Sequence, residues 1–366
     1  MRRYLHLSIF LVMYGIVIVV NHICLALDEI FYSSYKNVII KSPLFIISMP
    51  RTATTWLQNV IASDHIQITS MKLWEMLFAP SIIQKKFVIS LSKADQHFHS
   101  LITKQIRMWD SKLFKGYMKV HPSSFFDYED DDLALVNIFS NLFLIFFFPH
   151  LKLFNFLIRF DQSQDEERKK KILSFYKKCV QKHLFVFGKE KIYLSKSASH
   201  IPKMQSLMQW FPDGRFIFTI REPEQVISST ISMTMQFSKV FHNPVNINSV
   251  TERTLKLFDH LFSYPLEVFR TWPDSVYHIN MYDDLTANIE KEVTRIYQHF
   301  GIPLSEEFQK ILSEEYIKSQ SYKSRHVYSA NKWGLKGEEI YKMYKEPFEQ
   351  YSFFSRFDLQ KSPSCI

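Results

Sequence analysis

The chain has 366 residues, 46% of them hydrophobic, enough to bury a full core as one large domain or one domain with a substantial insert; that excludes a disordered or fibrous protein. A net charge of +9 favours anionic partners such as nucleotides, nucleic acid or acidic lipid headgroups, and 34 Phe with 18 Tyr suit a large apolar acceptor or a membrane. Cys24, Cys179 and Cys365 are far apart with no metal-ligand spacing, so neither a disulfide framework nor a zinc site is expected.

In chain order, Tyr4 to Leu27 comes first, "YLHLSIFLVMYGIVIVVNHICLAL", which carries no formally charged side chain and follows Arg2 and Arg3. Its length suffices to cross the hydrocarbon, and the basic residues ahead of it place the amino end in the cytoplasm, as in a signal anchor. No small-residue cleavage site stands out, which argues for an anchor over a cleaved signal peptide. The competing expectation is an apolar helix packed on the domain, with His6, Asn21 and His22 as its polar points. The expected organisation is this helix over 1–30, a main domain over 40–345 with a helical insert at 90–190, and a tail over 346–366.

Next, "FIISMPRTATTW" (Phe45 to Trp56) runs from an apolar strand through a proline, an arginine and a threonine cluster into a helical pattern. Such a layout aims backbone N–H groups, two hydroxyls and a guanidinium at an oxyanion. An ordinary Thr cap beside an exposed Arg would leave the same letters. The stretch has no glycine, unlike the phosphate loop of kinases.

Farther along, the acidic run Asp127 to Asp132 suits a helix start, and the apolar block Leu133 to Phe148 reads as a buried helix or part of an apolar pocket. The charged run Asp161 to Lys171 opens a solvated helix. From Lys191 the pattern is regular: a strand "KIYL", a helix His200 to Trp210, a buried strand Arg215 to Ile220 and a helix from Pro223. A helix Val250 to Arg270, a strand Ser275 to Asn280 and a helix Asn288 to Phe300 closed by Gly301 follow. Alternating strands and helices predict an α/β three-layer sandwich around a parallel sheet, with ligands at the carboxyl ends of strands. Three segments lie there: Met49 to Thr55, Ser195 to His200 and Arg221 to Ser229.

These segments carry a resemblance. "PRTATTW" resembles the P-[KR]-x-G-T-T-W loop of sulfotransferases, which binds the 5′-phosphosulfate of 3′-phosphoadenylyl sulfate (PAPS). "REPEQVISS" is similar to their R-[DN]-P-x-D-V-x-x-S segment for the 3′-phosphate, with the same Arg-to-Ser spacing. "LSKSASHIPKM", "INMYDDLTANIEKEVTRIYQHFGIP" and "SRHVYSANKWGL" resemble further elements of the Golgi-type and bacterial branch. The likeness covers most of Asn21 to Leu335, and Ser90 to Glu190 match loosely. Ala53 replaces the loop glycine, Ala198 a frequent proline and Gln225 a frequent aspartate.

The resemblance implies a P-loop-NTPase-like sulfotransferase fold and a PAPS-dependent transferase with no metal and no nucleic-acid partner. Its acceptor would be a hydroxyl of a glycan, lipid or other apolar small molecule. Arg51 and Lys196 would assist the leaving group; Thr52, Ala53, Thr54 and Thr55 would donate to it; Arg221 and Ser229 would hold the 3′-phosphate. Trp56 and Tyr282 match positions that flank adenine, though plain core packing explains such aromatics as well, and Lys323 and Arg325 would close over the nucleotide. For the general base, Glu75 among apolar neighbours, where burial would raise its pKa, competes with His200, and His121 stands third. Membrane association follows from the first helix, with the catalytic domain outside the cytoplasm (in the Golgi lumen of a eukaryote) or on the cytoplasmic membrane face. A non-catalytic relative, favoured by Ala53, and a nucleotide kinase are the alternatives.

Overall fold

The computed structural model describes residues 2–97, 99–114, 123–146, 153–240, 246–321 and 330–345. His121, Lys323, Arg325 and Cys365 lie outside them. The chain opens with α1 (Arg2–Phe31), β1 (Leu44–Ile46), α2 (Thr54–Ala62), β2 (Ile68–Thr69) and the helices α3 (Leu73–Phe78), α4 (Ile82–His97) and α5 (Leu101–Phe114). Next are α6 (Leu153–Ile158), α7 (Glu166–Phe187), β3 (Ile192–Lys196), α8 (Met204–Trp210), β4 (Arg215–Ile220), α9 (Pro223–Val240) and α10 (Ile247–Phe269). The last elements are β5 (Tyr277–Met281), α11 (Tyr282–Ala287), α12 (Ile289–His299), α13 (Glu306–Gln320) and α14 (Gly337–Met343).

The five strands form one parallel sheet in the order β2-β3-β1-β4-β5. Strand β1 is central: Leu44 is level with Leu194 of β3 on one side and with Arg215 of β4 on the other. Side chains alternate across the sheet, as a period of two requires. Leu44, Ile46, Leu194 and Ile217 pack under α2, α12 and α13, while Phe45, Ile47, Tyr193, Phe216 and Phe218 pack under α7, α8, α9 and α10. Burial on both faces is why the strands read as unbroken apolar runs rather than as alternating ones. The three-layer α/β sandwich is therefore as the sequence predicts.

Local departures have local causes. The expected helix from His200 begins instead as a 3-10 turn, Ala198–Lys203, because the Ser197 hydroxyl accepts from the Ser199 N–H and Pro202 lacks a donor; the α-helical part starts at Met204. The block from Leu133 is not one helix. It forms two 3-10 stretches, Asp131–Ile138 and Leu142–Phe146, parted where Phe139 turns left-handed at φ 51°, with Asn141 Nδ2 donating to the Asp132 carbonyl across 2.8 Å.

Helix α1 is longer than the apolar run suggests, and Leu11–Phe31 is long and apolar enough to cross a bilayer. Its polar residues are not loose ends. Asn21 Nδ2 donates to the Leu77 carbonyl (2.9 Å) and to Asn137 Oδ1 (2.7 Å). Buried Asp28 accepts from Lys182 Nζ at 2.8 Å and caps the N–H groups of Ile82 and Ile83. One face of the second half of α1 is thus fixed to the domain, whereas Ile16, Val19, Ile23, Leu27 and Ile30 on the other are exposed.

Candidate active site

The order β3-β1-β4 sets three loops side by side at the carboxyl edge of the sheet. In the first, Arg51 (φ 68°) and Ala53 (φ 61°) both adopt left-handed backbone, a conformation that costs a non-glycine residue ~1–2 kcal/mol. Thr52 between them is fully buried, and its hydroxyl donates to the Met49 carbonyl at 2.7 Å, so it fixes the loop rather than facing a ligand. Ala53 caps α2, whose first turn leaves backbone N–H groups directed at the cavity edge where Thr54, Thr55 and Trp56 stand.

The second and third loops complete the cluster. Arg221, at the end of β4, donates from Nη1 to the Arg51 carbonyl (2.8 Å) and from Nη2 to Gln225 Oε1 (2.8 Å), and its guanidinium lies 3.9 Å over the Tyr282 ring. Arg51 Nε donates to Ser229 Oγ across 3.1 Å. Neither acid beside Arg221 claims it: Glu222 accepts from Gln225, and Glu224 accepts from the Ala330 N–H. Because Gln225 is neutral, the positive charge of Arg221 is held without being cancelled by that partner.

Lys196 ends β3 and bonds Asp130, with Glu129 3.9 Å away. Burial pulls the Lys196 ammonium down, but Asp130 and Glu129 outweigh it and hold the group above its ordinary range. Arg51, Lys196, Arg221 and Tyr282 all line one cavity of about 2690 Å³. Arg221 Nε and Thr230 Oγ1, both on residues that line it, are buried with no hydrogen-bond partner among the described residues. A site built from guanidinium, ammonium, hydroxyl and helix N-terminus, with donors to spare, matches a multiply charged anion.

Comparison with known proteins agrees with that chemistry. The model of the sulfotransferase family matches residues 43–306. The chain belongs to the sulfotransferase family. No curated protein matches it in sequence. Among solved structures, sulfotransferase STF9 from Mycobacterium avium superposes with a TM-score of 0.73 at 16% identity, over 89% of this chain and 81% of that one. Sulfotransferase STF1 from Mycobacterium tuberculosis H37Rv gives 0.62 at 17% identity, over 90% and 83%. At these identities the likeness is one of fold.

Two residues expected to act as base in this sulfotransferase stand away from the cavity lining. Glu75 is buried between His183, whose Nδ1 lies 2.8 Å from its carboxylate, and Lys85 at 3.9 Å. Burial alone pushes the Glu75 carboxyl up, yet His183, Lys85 and the Lys72 N–H together hold it below its ordinary range, the reverse of the sequence expectation. His200 is enclosed too, with Nε2 3.1 Å from Asp131 and its ring edge-on to Tyr176.

The acidic run, expected only to start a helix, brings carboxylates to the cavity wall. Asp131 accepts from Tyr176, from Tyr193 (2.7 Å), from Ser195 (2.9 Å) and from His200, while Asp132 bonds Lys203. Asp131 thus fastens the insert to β3, and Asp132 to the turn Ala198–Lys203 that follows it. Their neighbours Asp127, Glu129 and Asp130 face the cavity. Burial, with Glu129 and Asp110, raises the Asp127 carboxyl above its ordinary range. Sequence gave a signal in the density of acids, but which of them turn inward depends on the fold of the insert.

Proposed function

We propose that this sulfotransferase takes PAPS as donor and sulfates a hydroxyl, acting at a membrane. The observation that carries the reading is the meeting of Arg51 and Arg221 on one cavity wall, bonded through the Arg51 carbonyl, with Lys196 on the same cavity. Two guanidiniums so joined suit an adenosine carrying anionic groups on both sides of its ribose.

The donor would supply the sulfuryl group: a bond from the acceptor oxygen to sulfur replaces that from sulfur to the phosphate oxygen, leaving adenosine 3′,5′-bisphosphate. Arg51 and the first-turn N–H groups of α2 would hold the 5′-side oxygens, and Arg221 with Ser229 and Thr230 the 3′-phosphate. Lys196 keeps its proton and places fixed positive charge beside the reacting group; charge preorganised in this way is worth ~10²-fold or more in kcat. Tyr282, already against Arg221, offers a flat face for adenine. Asp127, a cavity carboxylate with raised proton affinity, takes the acceptor's hydroxyl proton.

The left-handed Ala53 favours a second reading, a relative that keeps the fold without turnover. Incubating the full chain with radiolabelled PAPS and a cell lipid and glycan extract separates the two. Label appearing on an acceptor, and lost in Lys196→Met, supports the transferase. Nucleotide binding with no label leaving PAPS supports the second reading.

A further inference from the structure

The cavity is larger than a nucleotide requires, and part of its wall belongs to α1. Pockets for small ligands run to ~300–1,000 Å³, against about 2690 Å³ here. Away from the charged groups around Arg51, Arg221, Lys196 and Asp127, much of its wall is apolar: Leu77, Phe78, Leu133, Leu142, Phe143 and Phe237 line it, together with Met13, Tyr14 and Val17 of α1.

Two unpartnered apolar stripes border this region. On α1, Val12, Ile16, Val19, Ile23, Leu27 and Ile30 recur at helical spacing on the exposed side. On α5, Ile102, Ile106, Trp109 and Leu113 do the same, with Trp109 65% exposed, and Leu113 is also a cavity residue. Stripes of this size on a soluble surface would be a liability, and against hydrocarbon they are not.

Depth fixes the relation between cavity and bilayer. Asn21 and Asp28 fasten one face of α1 to the domain, Ile18 is buried and Tyr14 packs on the core, so only the helix ahead of Met13 can be wrapped by lipid on all sides. From Tyr4 to Val12 that is ~14 Å at 1.5 Å per residue, short of the ~30 Å hydrocarbon thickness. A span must therefore draw in the outer face beyond Asn21 as well, which brings the domain against the membrane. Met13 to Val17 then lie within the hydrocarbon, and so does that side of the cavity.

We infer that the acceptor is a membrane lipid bearing a hydroxyl, which enters sideways past α1 with its chain along the Val17, Leu142 and Phe143 wall and its hydroxyl at Lys196 and Asp127. This rests on the sulfuryl-transfer reading above. The product is the lipid's sulfate monoester, with the hydroxyl proton passed to the Asp127 carboxylate.

The test uses the full chain in phosphatidylcholine vesicles holding a long-chain primary alcohol with a photoactivatable diazirine on its alkyl chain. Peptide mapping after illumination is expected to find cross-links on Val17, Leu142 and Phe143 as well as on the outer stripe. Val17→Trp or Leu142→Trp, each narrowing the path, should cut the inner labelling at least fivefold and leave Ile16 and Ile23 labelled. Cross-links confined to the outer stripe, or none, overturn the proposal. A parallel titration with adenosine 3′,5′-bisphosphate tests the donor separately: inner labelling without nucleotide binding would reject sulfuryl transfer, whereas nucleotide binding without inner labelling would reject only the lipid.

Discussion

Arg221 donates from Nη1 to the carbonyl of Arg51 across 2.8 Å, joining the end of β4 to the loop after β1. The same guanidinium spends Nη2 on Gln225, lies on Tyr282 and leaves Nε buried with no partner among the described residues. A fork with this many fixed directions is not replaceable by a point charge. Arg221→Lys is expected to weaken adenosine 3′,5′-bisphosphate binding by about 10-fold or more, since at least one charge-assisted bond of ~1.5–3 kcal/mol is lost. Isothermal titration checks this; unchanged affinity would mean that the guanidinium serves the loop and not the ligand.

Ala53 carries a cost that glycine would not. At φ 61° the side chain disfavours the backbone by ~1–2 kcal/mol, while glycine brings back ~0.5–1 kcal/mol of chain entropy. Ala53→Gly should therefore stabilise the fold by about 1 kcal/mol, a rise in Tm of ~1 °C in a thermal melt. A fall in Tm would show that the methyl group packs more favourably than its strain costs.

With Asp127 as the proposed base, a pH dependence is expected. The base must be ionised, so kcat is expected to rise with pH through the Asp127 pKa, which lies above the ~3.9 of a free Asp. Asp127→Asn should lower kcat by ~10²-fold, abolish that acid limb and leave bisphosphate affinity unchanged. An acid limb that persists in the variant would assign the proton to another group.

Legibility varied with how local the cause of each feature is. Strands such as Arg215–Ile220, buried on both faces, and the Asn288 cap and Gly301 stop of α12 were readable because the residues that cause them are adjacent in sequence. The positions of Arg51, Lys196 and Arg221 after strands were readable too, each beside a recognisable motif. Which carboxylate faces the cavity was not. Whether Glu75 or Asp127 meets the cavity depends on His183 and Lys85 closing over the first and on the insert turning the second inward, contacts between residues more than 100 positions apart for Glu75 and His183. The stretch Asp131–Phe146 forms no α-helix for the same reason: Asp131 and Asp132 satisfy partners on β3 and beyond it rather than their own backbone.

Asp131 also governs acid stability. Burial works against its charge, but His200, Tyr176 and Tyr193 hold its carboxyl below the ordinary range. The folded pKa is thus under the unfolded value of ~3.9, so this stabilisation is present above that pH and is lost as pH falls through the folded pKa. Asp131→Ala leaves several buried donors without an acceptor and is expected to cost ~3–5 kcal/mol, a Tm loss of roughly 5 °C at neutral pH. The variant should also lose part of the acid dependence of its melt. An unaltered Tm would show that the insert is held to β3 by its apolar contacts alone.

The central claim is that one nucleotide bridges Arg51 and Arg221, and titration with three ligands addresses it most directly. Adenosine 3′,5′-bisphosphate should bind the wild type at a single site and lose affinity in both Arg51→Ala and Arg221→Ala. Adenosine 5′-monophosphate should respond mainly to Arg51→Ala, and adenosine 3′-monophosphate mainly to Arg221→Ala. Bisphosphate binding indifferent to either substitution, or a stoichiometry of two with each arginine governing its own site, would contradict the account.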